Sequence, residues 1–579
     1  MKKIYTCEEN IQILISLLKG HNIRKVIINP GTTNISFVAT VQSDDFFEIY
    51  SCVDERSAAY MACGIAEESG EPVVLTCTGA TASRNYMPGL TEAYYSKLPI
   101  IAVTATQHLG RVGQNVPQVL DRGNQLNDIV KKSIQLQSVY TDEDRWTCNE
   151  QVNDVLLECK RNGGGPVHIN MVTTYSNDFK EGTIPEQKLI NRYTIESELP
   201  KIDDKYKRVA IFIGNHVSFS EKLTKKIESF CEKYNSIVLC DHTSNYNGKY
   251  KILGNLVYSQ NGDSTNLKNI DLLINIGNIS GSYMSFFPKE VWRINPDGEL
   301  RDTYKKLKNV FSMSEESFFD EYLKMSNKSN NEYYESFNNE DKRLREKVEN
   351  LELPFSNLWI AKNTINKLQN NSIVHLAILN TLRSWNYFKN SKNLKFYSNT
   401  GGFGIDGIMS TAIGTSLCTE ELVYCFIGDL AFFYDLNSIG NKNVKKNLRI
   451  MLINNGCGTE FHNYNHRAVS VSNSNELSLE YFAADGHFGN KSRELVKHYA
   501  EDLGFEYLSA SNKEEFSQNI DLFTKEEVDK PIIFEVFTNP EDESIALKQI
   551  NNLEITAKGV VKNIIGEKGI KFAKKMLGR

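Results

Sequence analysis

The sequence predicts an α/β protein built from three doubly wound parallel-sheet domains. Short apolar strands alternate with helical segments along the chain, which is typical of parallel sheets covered by helices on both faces. Polar segments near residues 176–203 and 325–355 interrupt this alternation and divide it into three units of similar size. At 579 residues the chain is long enough for three such units. We therefore expect domains at residues 1–180, 204–325 and 355–579.

The first unit opens with an apolar-periodic helix that ends at Gly20. A helix rich in small residues, 57–70, separates two of the strands that follow. The apolar runs predict strands at residues 25–29, 48–53, 72–79, 98–106 and 165–172. This order of strands and helices predicts a parallel sheet.

The second and third units repeat the same alternation. Strands are predicted at 207–214, 236–243, 271–277, 291–298 and 308–313, and then at 395–399, 422–429, 448–455 and 531–537. The third unit begins with an apolar helix at 357–368. Residues 325–355 are polar without a clear apolar face, so we expect an exposed helical connector there.

Charge and hydropathy exclude several classes of protein. The chain has 66 basic and 72 acidic residues and a net charge of −6. This balance does not indicate the clustered basic surface that nucleic-acid binding usually needs. No apolar run approaches the ~18 residues of a membrane span. Glu8 and Glu9 stand where a signal peptide needs an apolar run, so we expect a cytoplasmic protein. For the basic C-terminal stretch, 568–579, we expect a solvated helix.

Polar residues follow two successive strands of the third unit. Gly428-Asp429-Leu430 ends one strand and Asn454-Asn455-Gly456 ends the next. Successive strands of a β-α-β unit end at the same edge of a parallel sheet, so the Asp and Asn oxygens are expected to meet there. Such oxygens, together with substrate phosphates, suit Mg²⁺. The alternative is an Asp that only caps the next helix, and the matching pair of Asn residues argues against it.

These motifs resemble the GDG…NN motif of thiamine-diphosphate-dependent enzymes. The first unit resembles the pyrimidine-binding domain of that family, with Glu55 after a strand and Thr78, Gly79 and Asn85 in the expected order. The resemblance covers nearly the whole chain as pyrimidine-binding, middle and diphosphate-binding domains. It is closest to the menaquinone-pathway synthases that join 2-oxoglutarate to isochorismate (SEPHCHC synthases), and then to acetolactate synthases and 2-oxo acid decarboxylases.

The resemblance implies thiamine diphosphate and Mg²⁺ as cofactors and gives each motif residue a role. Glu55 would hydrogen-bond the aminopyrimidine ring and exchange a proton with it. Ile405 would wedge beneath the bent cofactor, and the Phe403 carbonyl would accept from the aminopyrimidine. Asp429, Asn455 and the carbonyl of Cys457 would hold the metal. The remaining cofactor contacts would come from Gly428, Leu430 and Gly458. Active sites between the subunits of a homodimer or homotetramer are also implied.

Two other interpretations were weighed. Residues 402–407 match the G-x-G-x-x-G pattern of dinucleotide sites, but the expected acidic residue at the next strand end, Asp429, is already part of the metal motif. The second interpretation is a catalytically silent scaffold, a protein that binds the cofactor but has no catalytic activity, and the presence of Glu55 argues against it. The middle unit has no dinucleotide fingerprint, so a flavin is not supported.

The substrate region departs from the menaquinone synthases. The resemblance places Thr33, beside Thr32, and Thr400 where those synthases carry arginines that grip carboxylates. The loss of two such arginines is expected to weaken the binding of a dianionic substrate strongly. Gln118 matches a glutamine that faces the substrate in related sites. After the metal motif, Glu460 lies near the position of a proton-handling Glu in the decarboxylases.

Further along the same segment, His462, His466 and Arg467 are candidates for binding an anionic or sugar-like substrate. A solvated loop is the alternative for each of them.

We therefore predict a carboligase that decarboxylates a 2-oxo acid and transfers the acyl carbanion to an acceptor. The resemblance also extends to synthase-like proteins of surface-polysaccharide pathways, which would imply a sugar-derived acceptor. The alternatives are simple 2-oxo acid decarboxylation, the menaquinone-pathway reaction itself and the silent scaffold. The sequence names neither the donor nor the acceptor.

Overall fold

A computed structural model describes residues 2–261, 265–282, 284–325, 332–484 and 492–554. The chain divides into two compact units. The first contains residues 1–197 and 297–312, and the second contains the remaining residues. The basic C-terminal stretch for which a solvated helix is predicted lies outside the described ranges.

The first unit is built around a six-stranded parallel sheet in the order β3-β2-β4-β5-β7-β6, and β1 pairs with β8 in a separate antiparallel ribbon. Its strands are β1 (Ile4–Thr6), β2 (Lys25–Ile28), β3 (Glu48–Ser51), β4 (Val73–Cys77), β5 (Ile100–Thr106), β6 (Lys132–Leu136), β7 (Val167–Val172), β8 (Phe179–Glu181) and β9 (Asn191–Tyr193). Its helices are α1 (Glu9–Gly20), α2 (Ile35–Gln42), α3 (Glu55–Ser69), α4 (Thr81–Asn85), α5 (Met87–Tyr95) and α6 (Asp142–Glu158).

Small residues explain how α3 lies so close to α5. Ala58, Ala59 and Ala62 of α3 are completely buried. A Cβ on Gly89 of α5 would lie 2.5 Å from the Cβ of Ala59, so only glycine fits there. This close packing holds the start of α3, and therefore Glu55, at the carboxyl edge of the sheet.

The second unit contains two parallel sheets. Within this unit, one of them has the strand order β12-β11-β10-β13-β14. The strands of this region are β10 (Val209–Ile213), β11 (Ser236–Cys240), β12 (Lys251–Leu253), β13 (Asn269–Ile276), β14 (Phe287–Ile294) and β15 (Leu307–Phe311), the last of which belongs to the first unit and pairs there with β9. The helices are α7 (Glu221–Tyr234), α8 (Asn255–Tyr258), α9 (Thr265–Lys268), α10 (Glu315–Lys324) and α11 (Glu332–Glu349).

The other sheet of the second unit has six parallel strands in the order β17-β16-β18-β19-β21-β20. These are β16 (Ile373–Leu376), β17 (Lys395–Tyr397), β18 (Val423–Gly428), β19 (Leu448–Asn454), β20 (Glu506–Ala510) and β21 (Ile532–Phe537). Helices α12 (Asn357–Thr364), α13 (Asn380–Trp385), α14 (Ile408–Leu417), α15 (Asp429–Tyr434), α16 (Arg467–Asn475), α17 (Leu495–Asp502), α18 (Lys513–Phe523) and α19 (Pro540–Asn551) accompany it.

The predicted α/β fold with parallel sheets flanked by helices is confirmed. The division into three domains stays a prediction. Four strands of these parallel sheets, β6, β12, β16 and β20, were not predicted from the sequence. No helix in the ranges that the structure covers is long and apolar enough to cross a membrane.

The helix predicted within residues 325–355 is confirmed by α11, but the expectation that it is exposed is wrong. Helix α11 buries one face, which includes Tyr333, Phe337, Leu344 and Val348. Asp341 on the same face is completely buried, and Arg345 and Lys389 both form ion pairs with it. The helical spacing of these four apolar residues was present in the sequence but was obscured by the many charged residues between them.

Buried histidines make the fold sensitive to acid. Burial lowers the pKa of His168 and of His242 to about 3, and that of His375 to about 4, so all three stay neutral in the folded chain. In the unfolded chain each titrates near pH ~6.5. The unfolded chain therefore binds more protons than the folded chain below that pH, and the stability present above pH ~6.5 is lost as the pH falls toward the folded values.

We expect each of these histidines to lower the free energy of unfolding by up to about 1.4 kcal/mol per pH unit below pH ~6.5. Denaturant titrations between pH ~7.5 and ~5 measure this slope. His168→Gln should make the slope smaller, because glutamine keeps polar contact with Thr104 and Ser133 but does not titrate. Equal slopes for the variant and the wild type would contradict the assignment.

Candidate functional site

In the first unit, the structure brings Glu55 and Asn85 together. Glu55 is the first residue of α3, directly after the N-cap Asp54, and Asn85 is the last residue of α4. The Asn85 side-chain amide donates to Glu55 Oε2 over 3.3 Å. Glu55 is half-buried within this single chain. A carboxylate held at a strand end and still reachable can accept or give a proton at its other oxygen.

Thr33 and Thr78 form a second contact at the same edge. Their hydroxyl groups hydrogen-bond each other, with Thr33 buried and Thr78 half-buried. Gly31 permits this contact, because a Cβ there would lie 2.8 Å from the Cβ of Thr78. The neighbouring Thr32 is exposed. The position where the resemblance expects an arginine is therefore occupied by a short neutral side chain that points toward another threonine.

Gly79 lies against the loop that carries Gln118. A Cβ on Gly79 would lie 2.7 Å from the backbone carbonyl oxygen of Gln118 and 3.2 Å from that of Ala105. Gln118 is exposed and has a φ of +62°. The next residue after Gly79, Ala80, also has a positive φ of +59°. A positive φ is strained for residues other than glycine, and strained residues of this kind are concentrated at functional sites.

Gly79→Ala should therefore disturb this loop, whereas Gly64→Ala in helix α3 should not. No atom lies within 4 Å of a Cβ at Gly64, and alanine is the better helix former. We expect Gly79→Ala to lower the free energy of unfolding by about 1–3 kcal/mol. For Gly64→Ala we expect a gain of about 0.5–1 kcal/mol. Thermal unfolding of both variants provides the comparison, and equal stability of the two would contradict the packing described here.

In the second unit, Asp429 joins the ends of two adjacent strands. It follows β18 and is buried, with 2% of its surface exposed. Its Oδ2 accepts from the backbone N–H of Gly456, beyond β19, over 2.6 Å. Its Oδ1 accepts from the N–H of Leu430 over 2.9 Å. The carboxylate is thus fixed at the carboxyl edge, as the parallel pairing of β18 and β19 predicts.

The residues after Asn454 continue the same edge. Asn455 is half-buried, and its Oδ1 accepts weakly from the backbone N–H of Cys457 over 3.4 Å. Cys457 is buried. A Cβ on Gly458 would lie 2.9 Å from the carbonyl oxygen of Ala483, so this turn requires glycine. The structure therefore brings the predicted metal residues into one short loop beside Asp429.

The loop before α14 contains the predicted wedge. Ile405 is half-buried and packs against the apolar core beside the sheet that contains β18 and β19. Phe403 has a φ of +54°, an uncommon value for a bulky residue. Around Gly402 and Gly428 a Cβ would meet no atom within 4 Å, so open space lies above the backbone there. Strained backbone of this kind is concentrated at functional sites, and the open space leaves room for a bound group.

Thr400, like Thr33, is buried among neutral partners. It is 1% exposed, and its hydroxyl accepts from the side-chain amide of Asn215 over 2.9 Å. Asn215 also donates to the carbonyl of Ser398. The side chain at the position where the resemblance implies an arginine is therefore uncharged.

Glu460 and His462 lie on the short turn that follows the metal loop. Glu460 forms an ion pair with Arg383 of α13, which the sequence analysis did not single out. The ion pair occupies one oxygen of the Glu460 carboxylate, so the suggested proton-handling role stays a prediction. His462 is half-buried on the same turn, and the exposed Arg467 begins α16 after His466 caps it.

A residue behind the metal loop was also missed. Glu535 of β21 is 1% exposed and accepts from the side-chain amide of Asn454 over 2.7 Å and from the Tyr507 hydroxyl over 2.8 Å. Burial raises the pKa of this carboxyl. Glu535 therefore fixes the residue directly before Asn455. Nothing in the local sequence PIIFEVF distinguishes it from a strand residue that faces solvent.

The donor set fits a hard cation with a diphosphate. Asp429 supplies a carboxylate, Asn455 an amide oxygen and Cys457 a backbone carbonyl, which are oxygen ligands of the kind that Mg²⁺ takes. Among the residues that the structure describes, no group of three or more His, Cys, Asp and Glu side chains could hold a metal. A site that relied on such side chains alone is therefore not found, whereas an oxygen site completed by phosphate is compatible with this loop.

Comparisons with known proteins agree with this geometry. Residues 10–126 match the family model described as the N-terminal TPP binding domain of thiamine pyrophosphate enzymes. The chain is 31% identical over 566 residues to 2-succinyl-5-enolpyruvyl-6-hydroxy-3-cyclohexene-1-carboxylate synthase of Bacteroides thetaiotaomicron, covering 94% of this chain and 98% of the relative. The Bacteroides fragilis protein of the same name is 30% identical, covering 94% and 99%. That of Flavobacterium johnsoniae is 26% identical, covering 93% and 97%.

Proposed function

The chain belongs to the thiamine-pyrophosphate-dependent enzyme family, and from this membership we propose that it decarboxylates a 2-oxo acid and transfers the acyl carbanion to an acceptor. One observation carries the proposal: a reachable carboxylate, Glu55, and a clamped carboxylate, Asp429, stand at the carboxyl edges of two parallel sheets. Ligands of open α/β sheets bind at such edges.

The mechanism assigns each of these groups a separate task. Thiamine pyrophosphate would supply the nucleophilic carbon that this chemistry needs. Glu55 would exchange a proton with the aminopyrimidine through one oxygen, while Asn85 donates a hydrogen bond to the other. Asp429 and Asn455, with the Cys457 carbonyl, would hold Mg²⁺ and through it the diphosphate. Ile405 would support the bent cofactor, and the Phe403 carbonyl would accept from it.

The names of the relatives support one specific reaction. They are called 2-succinyl-5-enolpyruvyl-6-hydroxy-3-cyclohexene-1-carboxylate synthases, and their similarity extends over nearly the full length of the chain. This favours the menaquinone-pathway reaction over the sugar-pathway reaction that the sequence analysis put first. The first candidate is therefore the joining of 2-oxoglutarate to isochorismate.

Thr33 and Thr400 favour a second candidate function. In this candidate the enzyme performs the same type of reaction, decarboxylation with transfer of the acyl carbanion, on other substrates. Both are buried and take part in neutral hydrogen bonds. A charge-assisted hydrogen bond contributes about 1.5–3 kcal/mol, so the loss of two arginine clamps is expected to weaken a dianionic substrate substantially. The loss of the arginines would weaken the binding of a less highly charged donor or acceptor to a smaller extent.

A substrate panel separates the candidates. The protein is incubated with Mg²⁺, thiamine pyrophosphate and either 2-oxoglutarate or pyruvate, each with and without isochorismate, while CO₂ release is followed. Acceptor-dependent release with 2-oxoglutarate and isochorismate would support the first candidate. Cofactor-dependent release with pyruvate alone would point to other substrates or to simple decarboxylation. If a wider set of 2-oxo acids also gave no cofactor-dependent CO₂ release, the proposal would be contradicted. The catalytically silent scaffold would then be the remaining interpretation.

We propose further that the active enzyme is a homodimer or homotetramer in the cytoplasm, with each site formed between subunits. Family membership supports this, since such enzymes typically oligomerise. Several large apolar side chains near Glu55 are also exposed in the single chain, among them Val53 with 82% of its surface exposed. A contiguous patch of such side chains would be typical of a protein interface. Sedimentation analysis tests the oligomeric state.

A further inference from the structure

The second unit contains a sheet to which the proposed reaction assigns no task. This is the sheet that contains β10, and three loops meet at its carboxyl edge. The Asn278 N–H donates to the carbonyl of Asn215 over 2.8 Å, which joins the loop after β13 to the loop after β10. The Asn245 side-chain amide donates to the carbonyl of His216 over 2.9 Å, which adds the loop after β11. The three loops therefore form one connected surface.

Two glycines allow this surface to pack closely. A Cβ on Gly214 would lie 1.8 Å from the carbonyl oxygen of Asn278, so only glycine fits between the loops after β10 and β13. A Cβ on Gly281 would lie 2.1 Å from Cδ2 of Leu382 and 3.3 Å from Cγ2 of Thr400. The surface therefore lies directly against Thr400, the residue that precedes the glycines before α14.

Asparagine side chains of this surface pair with the outer edge of β17. Strand β17 is the outermost strand of its sheet and pairs with β16 on one side. On the other side, Asn245 Oδ1 accepts from the N–H of Phe396 over 2.8 Å, and Asn245 Nδ2 donates to the carbonyl of Phe396 over 2.9 Å. Asn215 Nδ2 donates to the carbonyl of Ser398 over 3.3 Å and to the hydroxyl of Thr400 over 2.9 Å. The two asparagines thus take the place of a further strand at this edge.

The segment held in this way leads directly into residues 401–407, the cofactor loop, which contains the proposed cofactor contact Phe403. The three residues that the asparagines contact are at most 7% exposed. Beyond Thr400, a Cβ on Gly401 or Gly402 would meet no atom within 4 Å, so side-chain packing does not fix these glycines. Phe403 follows them with a φ of +54°. The place of its carbonyl therefore depends on how firmly the chain is held just before the glycines.

We propose that Asn215 and Asn245 are positioning residues for the cofactor loop, and that the sheet containing β10 thereby sets the place of the Phe403 carbonyl. The two amides act through residues 396–400 and touch neither the cofactor nor the substrate. The inference rests on the proposed function, because it needs a cofactor bound beside Phe403. It assigns this sheet a task in cofactor binding.

Two variants each remove one asparagine side chain, and a third variant is their matched control. Asn215→Ala removes the donor to Ser398 and Thr400. Asn245 has a φ of +50°, which glycine adopts without strain, so Asn245→Gly removes only the contacts of the side chain. Asn235→Gly is the control, because Asn235 has a similar φ of +51° but precedes β11 at the opposite edge of the same sheet.

Hydrogen exchange of the full chain without cofactor measures how firmly the segment is held. We expect the amides of residues 396–407 to exchange at least about tenfold faster in Asn215→Ala and in Asn245→Gly than in the wild type, because the lost contacts allow the start of the cofactor loop to open. Asn235→Gly should leave the exchange of these amides unchanged. Unchanged exchange in both of the first two variants would overturn the proposal.

Calorimetric titration with thiamine pyrophosphate in the presence of Mg²⁺ separates positioning from a merely structural role. Asn215→Ala and Asn245→Gly should bind the cofactor about tenfold more weakly than the wild type and the control do. Asn215→Gln, which keeps an amide donor on a longer side chain, should recover part of the affinity. Faster exchange with unchanged cofactor affinity in both variants would overturn the positioning role. Neither measurement contains a 2-oxo acid, so a chain that shows the expected pattern but releases no CO₂ would contradict only the proposed reaction.

Discussion

Glu55→Gln is expected to abolish cofactor-dependent CO₂ release while magnesium-dependent binding of thiamine pyrophosphate persists. Glutamine keeps the size of the side chain and can still pair with Asn85, but it cannot exchange a proton. General acid–base groups contribute about 10²–10⁴-fold to a rate, and we expect a loss of that size. Single-turnover CO₂ release and calorimetric titration of the cofactor measure the two properties separately.

Glu68→Gln is the matched control for this variant. Glu68 lies on the same helix, α3, and is exposed, so its substitution should change neither the rate nor the affinity. Wild-type turnover by Glu55→Gln would show that Glu55 does not handle the proton. A variant that lost cofactor binding instead would assign Glu55 to binding rather than to proton transfer.

Asp429→Ala should have the opposite profile, with loss of cofactor binding itself. The buried carboxylate is the strongest metal ligand proposed here, and it also accepts from the backbone of Gly456. Removing it takes away a charge that faces Mg²⁺ and leaves the Gly456 N–H without its partner. We expect the affinity for thiamine pyrophosphate in the presence of Mg²⁺ to fall by at least about 100-fold, in line with the loss of a charged ligand.

Two further variants separate metal binding from loop structure. Asp429→Asn can still accept from Gly456, so it should retain the stability of the loop but bind Mg²⁺ weakly. Glu420→Gln, at a side chain that is 92% exposed, is the control and should behave like the wild type. Cofactor affinity in Asp429→Ala equal to that of the wild type would refute the metal site.

Local sequence patterns predicted the elements that carry the cofactor site. The apolar run of β18 ends in Gly428-Asp429, and that of β19 ends in Asn454-Asn455, so parallel pairing alone brings these residues together. Glu55 was identified instead by the resemblance to the pyrimidine-binding domain of the family, and the structure places it at the start of α3, after β3. These assignments depend on residues close to strand ends, where the sequence is informative.

Features that depend on distant contacts could not be predicted. Arg383 and Glu460 meet only because α13 and the turn after β19 lie at one edge of the folded sheet. Gly79 requires glycine because of the Gln118 carbonyl, which belongs to a different loop. Asp341 appeared to be a surface charge in a polar helix, but it is buried beside Arg345 and Lys389. In each case the deciding partner is far away in the sequence.

The central claim is that this chain builds a thiamine pyrophosphate site that depends on a divalent cation. Calorimetric titration of the purified full chain with thiamine pyrophosphate, with Mg²⁺ and then with excess EDTA, tests it most directly. The account predicts saturable binding with Mg²⁺ that is lost with EDTA. Absence of binding in the presence of Mg²⁺, or equal binding with EDTA, would contradict it.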